Sequence, residues 1–249
     1  MDVVDLIDKF SHKDIVFVVG AGPSLHWVDV KQIARFPIIA VNSAIMKFAY
    51  HDFDNLFFLA DDIGVKNFNY FIHVLPKLNC ISLLYKKKLE RQANHLDPDS
   101  IVWFDHKWYY DPSSDKYNPQ GLEMTKGEPI IGSRTSSGSA VHFAHIFGAK
   151  TIVLLGMDCC YHGMKRYYWQ FWDKKDQPYR LNGEKVFSFP NHGYYQGKPI
   201  DSHSSSFLHY WSALAKQADS QGINIINASG GILDCFKSMT VEQVLDTYG

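Results

Sequence analysis

The sequence predicts an α/β protein built on a doubly wound (Rossmann-like), mostly parallel sheet with an aromatic lid segment. Short apolar runs alternate with helical segments, as expected of strands buried on both faces of a parallel sheet. Small and polar residues stand where these runs stop, and an aromatic stretch, "YHGMKRYYWQFW", interrupts the alternation. With 249 residues, 46% of them hydrophobic, the chain can form one domain over 1–249, with 161–203 as a lid or small subdomain.

The order of the elements follows from these runs and from the residues that punctuate them. Helices are expected over 2–10, over 24–34, from Ser136 or Ser137 as N-cap to a stop at Gly148, and over 204–220. The segment 109–133 is polar and weakly patterned, which predicts a long loop. The predicted strands are 15–19, 36–42, 55–62, 79–85, 99–105, 150–158 and 222–229.

Composition excludes several classes of function. The net charge of −1 does not suggest nucleic-acid binding by bulk charge. No run approaches the roughly 20 apolar residues of a membrane span, and the charged N-terminus does not resemble a signal peptide. The four cysteines have no CxxC spacing, which argues against zinc and predicts reduced thiols in a cytoplasmic protein.

A glycine loop, "FVVGAGPSL" (17–25), ends the first predicted strand. Gly20 and Gly22 allow a tight turn and a close approach to a ligand, and Pro23 and Ser24 open the next helical segment. N–H groups at a helix start suit phosphate. The loop lacks the third glycine of GxGxxG and the Lys-Ser/Thr of a Walker A loop. It predicts either a nucleotide-binding loop or a simple strand-to-helix turn.

Polar residues also follow other predicted strands, and the carboxyl ends of parallel strands share one edge of a sheet. Asn42 is a candidate to hold a ribose or base, or to cap its own loop. Asp61 and Asp62 are candidates to bind a metal with a nucleotide phosphate, to hold ribose hydroxyls, or to form a solvated acidic turn. Asp158 ends the strongest strand and is a further nucleotide-binding candidate.

Two later segments add candidates. Ser137 and Gly138 start a helix that is expected to face the same edge, although ordinary capping explains them equally. His203 precedes a late helix and follows the aromatic lid. A histidine there is a candidate general base with a pKa near neutrality, or a surface or capping residue.

The lid combines phenols with cations. Tyr161 and Tyr168 flank Lys165 and Arg166, a mixture that suits an anionic ligand in a site from which aromatic rings exclude water. The competing interpretation is a partner interface or a locally packed aromatic cluster.

Taken in order, four motifs carry a family resemblance: "VVGAGPSL", "AVNSA", "TSSGSAVHFAHIFGAKTIVLLGMDCCYHGMKRYYW" and "DSHSSS". Together they resemble the bacterial sialyltransferases that use CMP-activated sialic acid. They are equally similar to the wider family that includes flagellin-modifying motility accessory factors and archaeal 6-hydroxymethylpterin diphosphokinases. The resemblance covers 15–229 in blocks and is weak over 64–133.

The resemblance implies roles for particular residues. The family's second asparagine is replaced here by Asp61, which changes the expected ribose or phosphate contact. Lid tyrosines act on the departing phosphate in the sialyltransferases, and Tyr161 and Tyr168 match them with a spacing one residue longer. His203 takes the place of the general base. The positions that match the CMP-binding residues are Gly20, Gly22, Pro23, Ser24, Asn42, Ser137 and Gly138.

The predicted function is therefore a glycosyltransferase that moves a sialic-acid-like sugar from a CMP donor to an acceptor hydroxyl, without a metal cofactor. Its partners would be a nucleotide-sugar donor and a glycan or similar acceptor, and a homo-oligomer is left open. One alternative is a Mg²⁺-dependent diphosphokinase of the pterin type, with Asp61, Asp62 and Asp158 as metal ligands. Another is a nucleotide-binding or sugar-binding protein without catalysis.

Overall fold

The computed structural model describes residues 3, 5–6, 14–61, 71, 73–108, 110–111, 116–117, 124, 129–132, 135–177, 194–200 and 202–248. An eight-stranded parallel sheet forms its centre. Its strands are β1 (Ile15–Val19), β2 (Ile38–Val41), β3 (Leu56–Ala60), β4 (Cys80–Tyr85), β5 (Ile101–Phe104), β10 (Thr151–Leu155), β13 (Asn224–Asn227) and β14 (Lys237–Ser238). They lie in the order β14-β13-β10-β1-β2-β3-β4-β5, and each pairs in parallel with its neighbours. This confirms the predicted α/β class and the doubly wound parallel sheet.

Three two-stranded ladders lie outside the central sheet. Their strands are β6 (His106–Trp108), β7 (Tyr110–Asp111), β8 (Lys116–Tyr117), β9 (Ile130–Gly132), β11 (Tyr194–Tyr195) and β12 (Lys198–Pro199). β9 pairs with β6 in parallel, whereas the β7–β8 and β11–β12 pairs are antiparallel. The β6–β9 and β7–β8 ladders fall in and beside the segment predicted as a long loop, much of which lies outside the described residues.

Helices cover both faces of the sheet. The α-helices are α1 (Lys86–Leu89), α2 (Ser136–Ile146), α3 (Ser202–Ser220) and α4 (Val241–Tyr248). Alternate residues of each strand enter two separate cores, so that Val16 and Val18 pack on one face of β1 while Phe17 and Val19 pack on the other. Short 3-10 helices cover Pro23–Trp27, Val30–Ile33, Asn42–Phe48, Leu75–Lys77, Pro98–Ser100 and Tyr168–Phe171.

Two helix predictions need correction. The helix expected over 24–34 is divided into two 3-10 helices, because Val28 is extended and the Asp29 side chain accepts the N–H of Lys31 to start a new turn. The N-cap of α2 is Thr135, whose hydroxyl accepts the N–H of Ser137 at 3.2 Å. The stop at Gly148 is confirmed by its positive φ of 81°.

Other expectations fall partly outside the described residues. Most of the predicted helix 2–10 and residues 178–193 of the predicted lid belong to this group. All four cysteines are free thiols, as predicted. Among the helices that the structure describes, none is both long and apolar enough to cross a membrane.

Candidate functional site

The candidate site lies at the carboxyl edge of the sheet, where the strand order reverses. From β1 the chain moves outward through β2 to β5 and then returns to the other side of β1 with β10. The crevice between the ends of β1 and β10 is therefore the topological switch point, which is where open parallel sheets bind ligands. The glycine loop follows β1, and Gly156 to Asp158 follow β10.

A carboxylate bridges these two loops. The Oδ2 atom of Asp158 accepts the hydroxyl of Ser24 at 2.8 Å, and its two oxygens accept the N–H of Ser24 at 3.2 and 3.3 Å. Only 7% of Asp158 is exposed. Burial raises the pKa of Asp158 to about 6, against the opposing effects of the Ser24 hydrogen bonds and the charge of Lys198. The structure therefore brings two predicted site residues into direct contact.

Glycine is required on both sides of this carboxylate. A Cβ atom on Gly22 would overlap the Asp158 carboxylate and lie 2.6 Å from the carbonyl oxygen of Gly156. A Cβ atom on Gly231 would overlap the Asp158 backbone. Backbone N–H groups of Gly20 and Gly22 donate to the carbonyls of Leu155 and Gly156, both at 2.7 Å. The glycine loop is thus fitted closely against the loop after β10.

These contacts bear on the predicted phosphate site. The N–H groups of Gly20, Gly22 and Ser24 already donate within the chain, and Pro23 has no N–H to offer. The helix that follows is a five-residue 3-10 segment rather than the expected long α-helix. Phosphate binding over 20–24 stays a prediction, and it would depend on donors other than these three N–H groups.

A second polar group lies between β2 and the start of α2. Asn42 adopts a left-handed backbone with φ 51°, and its amide nitrogen donates to the hydroxyl of Ser136 at 3.2 Å. The Oδ1 atom of Asn42 is buried and accepts no hydrogen bond from any residue that the structure describes. Ser137 and Gly138 occupy the first turn of α2, half-buried and buried respectively. The structure thus places three predicted nucleotide-binding residues at one end of α2.

Asp61 is used to attach α2 to the sheet. It follows β3, is 1% exposed, and its Oδ2 atom accepts the hydroxyl of Ser139 at 2.5 Å. Ser139 in turn lies on the inward face of α2 and is fully buried. This contact holds the first turns of α2 against the end of β3.

Replacing Ser139 by alanine is expected to lower the free energy of unfolding by about 1.5–3 kcal/mol, because a buried carboxyl then loses a hydrogen bond from a hydroxyl. Urea-induced unfolding at pH 7 measures this change. Ser212→Ala is the matched control, since Ser212 is an exposed helical serine whose hydroxyl donates to its own helix. Equal effects of the two substitutions would contradict a structural role for the Ser139–Asp61 contact.

Asp61 and Asp158, the two predicted metal ligands that the structure describes, do not come together at one site. β3 and β10 are three strand spacings apart, so the backbones of Asp61 and Asp158 are separated by about 14 Å. Aspartate side chains are too short to bring both carboxylates to one ion across that distance. Asp62 lies outside the described residues, and within the described ones no group of three His, Cys, Asp or Glu residues could hold a metal ion.

The lid segment is attached directly above the glycine loop. The backbone N–H of Tyr168 donates to the carbonyl of Ala21 at 3.0 Å, and the phenol of Tyr168 donates to the carbonyl of Ser43 at 3.1 Å. Trp169 donates its indole N–H to the hydroxyl of Ser43 at 3.2 Å. Tyr168 is fully buried and Tyr161 is 7% exposed. The catalytic role predicted for Tyr168 therefore requires its bond to Ser43 to break.

His203 falls in the first turn of α3. Helix α3 runs back to the sheet and enters β13, so its first turn stands at the carboxyl edge of the strands. The His203 side chain is outside the described part of the structure, and its role as general base stays a prediction.

Several residues of the site were missed by the sequence analysis. Ser43, Ser136 and Ser139 hold the lid, Asn42 and Asp61 in place, and Gly231 packs against Asp158. Their serine-rich and glycine-rich neighbourhoods were visible in the sequence. The spacing of these serines in the sequence, however, does not show which hydroxyl points into the protein interior.

The fold and this polar edge define a Rossmann-like α/β protein with a candidate ligand site at its switch point. The chain belongs to the family described as 6-hydroxymethylpterin diphosphokinase MptE-like, whose model matches residues 1–163. This match confirms the family resemblance predicted from the four motifs.

Among solved structures, the chain resembles the MAf glycosyltransferase from Magnetospirillum magneticum AMB-1, with a TM-score of 0.54 and 15% sequence identity. The match covers 92% of this chain and 34% of that chain, so this chain spans about a third of the length of its structural neighbour. At this identity the likeness shows a shared fold. A search of curated proteins finds no match.

Proposed function

We propose that this protein is a transferase that moves a sialic-acid-like sugar from a CMP donor to an acceptor hydroxyl. The observation that carries the proposal is the pair of polar groups fixed by partly buried hydrogen bonds at the carboxyl edge. Ser24 and Asp158 stand at the switch point, and Asn42 stands beside the start of α2. The description of the structural neighbour as a glycosyltransferase supports the same class of reaction.

In this proposal the nucleotide lies over the ends of β1, β2 and β3. The buried Oδ1 atom of Asn42 offers an acceptor to a base amino group or a ribose hydroxyl. Ser137 and Gly138, in the first turn of α2, stand beside the phosphate. Ser24 and Asp158 then lie between the nucleotide and the acceptor.

The reaction forms a bond between the acceptor oxygen and the anomeric carbon, while the bond from that carbon to the phosphate oxygen breaks. His203 takes the acceptor proton, and CMP leaves with the bonding electrons. The lid groups that would offset the charge on the departing phosphate are Tyr161, Tyr168 and Arg166, and the phenol of Tyr168 would first have to leave the carbonyl of Ser43. Both cations of the lid already make contacts within the chain: Lys165 donates to the carbonyl of Gln170 at 2.6 Å, and the Arg166 guanidinium lies over the ring of Tyr167.

The family model favours a second candidate, the Mg²⁺-dependent diphosphokinase. Asp61 and Asp158 do not fit one shared Mg²⁺ ion, because their strands are three spacings apart. A kinase would have to complete its metal site with substrate phosphates. Nucleotide or sugar binding without catalysis is the third candidate.

Thermal-shift titration with CMP, CDP, CTP, AMP and ATP, each with and without Mg²⁺, tests these candidates. We expect cytidine nucleotides to raise the melting temperature without metal, since a ligand at a hundred times its Kd adds about 2.7 kcal/mol of stability. Stabilisation by ATP with Mg²⁺ alone would contradict the glycosyltransferase and favour the kinase. Cytidine binding without turnover of any CMP-sugar would favour the binding protein.

A further inference from the structure

A cavity of about 450 Å³ opens at the ends of β13 and β14. One wall comes from the segment after the glycine loop, and the opposite wall comes from the ends of β13 and β14 and the start of α4. Its lining includes Trp27, Asp29, Gln32, Gly230, Glu242 and Gln243. Its volume suits a mono- or disaccharide.

Trp27 forms a rigid aromatic platform in this cavity. The side chain is 59% exposed, which is unusual for so large an apolar group. Its ring nevertheless makes edge contacts with the rings of His26, His162 and Phe171, with centroids 5.0 to 5.2 Å apart. The indole is therefore held in one orientation before any ligand arrives, so a ligand that stacks on it does not have to order it.

The polar lining of the cavity is acidic and rich in amides. Asp29 and Glu242 contribute carboxylates, and no Lys, Arg or His is among the described residues that line it. The backbone N–H of Glu242 and the side chain of Thr240 lower the pKa of Glu242, so it is ionised at neutral pH. The Lys198 ammonium is a described cation that contacts a lining residue, since it donates to the carbonyl of Gly230 at 2.6 Å. The two carboxylates therefore disfavour an anion on their side of the cavity.

Part of this lining is fixed and part is available to a ligand. Gln243 accepts the N–H of Thr240 through Oε1 at 2.9 Å, and the hydroxyl of Thr240 accepts the N–H of Gln243 at 3.2 Å. This reciprocal pair orients the Gln243 amide. The exposed side chain of Gln32 makes no hydrogen bond to any described residue. Carboxylate oxygens and amide groups thus stand around an aromatic face.

We propose that this cavity binds a neutral sugar ring of the acceptor glycan. The apolar C–H face of a pyranose stacks on Trp27, and its hydroxyls bond to carboxylate and amide groups of both walls. The inference rests on the proposed transferase function, because it identifies the second substrate of the same site. It also assigns the two substrates to different strands: the nucleotide over β2 and β3, and the acceptor over β13 and β14.

The position of the cavity supports this assignment. Ser24 and Trp27 belong to the same 3-10 helix, Pro23–Trp27. On the other wall, Gly230 precedes Gly231, which packs against the backbone of Asp158. Both walls therefore belong to segments that lead to the Ser24–Asp158 pair, which lies between the cavity and the strands proposed to hold the nucleotide.

Saturation-transfer difference NMR of the whole chain tests the proposal, with glucose, galactose and N-acetylglucosamine as neutral probes. Glucosamine and glucuronate serve as cationic and anionic probes. We expect at least one neutral sugar to bind at millimolar concentration, Trp27→Ala to weaken that binding at least tenfold, and Trp27→Phe to retain part of it. Tyr50→Ala is the matched control, since Tyr50 is an 87% exposed aromatic residue outside the cavity lining.

The outcomes separate this proposal from the proposed function. Absence of binding by all three neutral sugars would overturn it, as would binding only of glucosamine or only of glucuronate. Equal binding by wild type and Trp27→Ala would also overturn it. Trp27-dependent sugar binding without any nucleotide effect in the thermal-shift titration would support the cavity and contradict the CMP donor. The reverse pattern would contradict the cavity alone.

Discussion

Gly231→Ala is expected to cause a loss of at least about 3 kcal/mol in the free energy of unfolding, at the upper end of what overpacking costs. The added Cβ would overlap the carbonyl oxygen and Cα of Asp158 and lie 2.6 Å from its carbonyl carbon. These are backbone atoms, so no change of side-chain rotamer relieves the overlap. The loops after β10 and β13 would have to separate, and the Ser24–Asp158 contact would be lost with them.

Urea-induced unfolding of the wild type and the variant measures this loss. Gly163→Ala is the control, because Gly163 has a positive φ of 57° and no atom within 4 Å of its Cβ position. That substitution should lower the free energy of unfolding only through the strain of a left-handed backbone, roughly 1–2 kcal/mol. If Gly231→Ala is no more destabilising than Gly163→Ala, the two loops are not packed as described.

Periodicity and composition were sufficient to predict the central sheet. Each of the seven apolar runs contains one strand of it, since a run of that kind has no other way to bury both its faces. Strands β2, β3 and β10 end before their predicted runs do, because Asn42 begins a 3-10 helix and Asp61 and Asp158 lie beyond the strand ends. The eighth strand, β14, was missed because two exposed residues carry no hydrophobic pattern.

Local hydrogen bonds determine the secondary structure where the hydrophobic pattern alone did not predict it correctly. Asp29 interrupts the expected helix 24–34 by accepting the N–H of Lys31, and Thr135 takes the N-cap position from the serines that follow it. Ser, Thr and Asp compete with the backbone in this way at many positions. Which of several adjacent candidates wins depends on packing that a single sequence does not reveal.

The candidate site was predictable in its location rather than in its contacts. Ends of parallel strands must meet at one edge, which is why Ser24, Asn42 and Asp158 were found. Burial of the Tyr168 phenol against Ser43 depends on how the lid lies on the sheet. An aromatic cluster in a sequence does not show which rings face solvent. Trp27, whose side chain is exposed, lies outside that cluster in the sequence and belonged to no motif.

Asp158→Asn is expected to abolish a pH dependence of stability that the wild type shows. The pKa of Asp158 rises from 3.8 to about 6 on folding, chiefly because burial disfavours the charged form. The folded state thus binds this proton more tightly than the unfolded state does. The contribution is fully present below pH 3.8 and is lost as pH rises through 6.

The expected size follows from the shift, which corresponds to about 3 kcal/mol at about 1.36 kcal/mol per pH unit. Between pH 4 and pH 7, the wild type should lose most of that free energy of unfolding relative to Asp158→Asn; the rest lies below pH 4, where the unfolded carboxyl titrates. Asparagine keeps an oxygen for the N–H of Ser24 and an amide for its hydroxyl, so the variant should fold. Urea-induced unfolding from pH 4 to pH 8 measures the difference, with exposed Asp52→Asn as the control.

The same variant separates the structural role of Asp158 from a role in ligand binding. If the carboxylate only joins the two loops, Asp158→Asn should bind CMP as the wild type does, with equal or greater stability at pH 7. If its charge positions a ligand hydroxyl at the switch point, the variant should be more stable at pH 7 and yet bind more weakly. If the free energy of unfolding of Asp158→Asn depends on pH in the same way as that of the wild type, Asp158 is not buried as described. The proposed role of its charge at the switch point would then have no support.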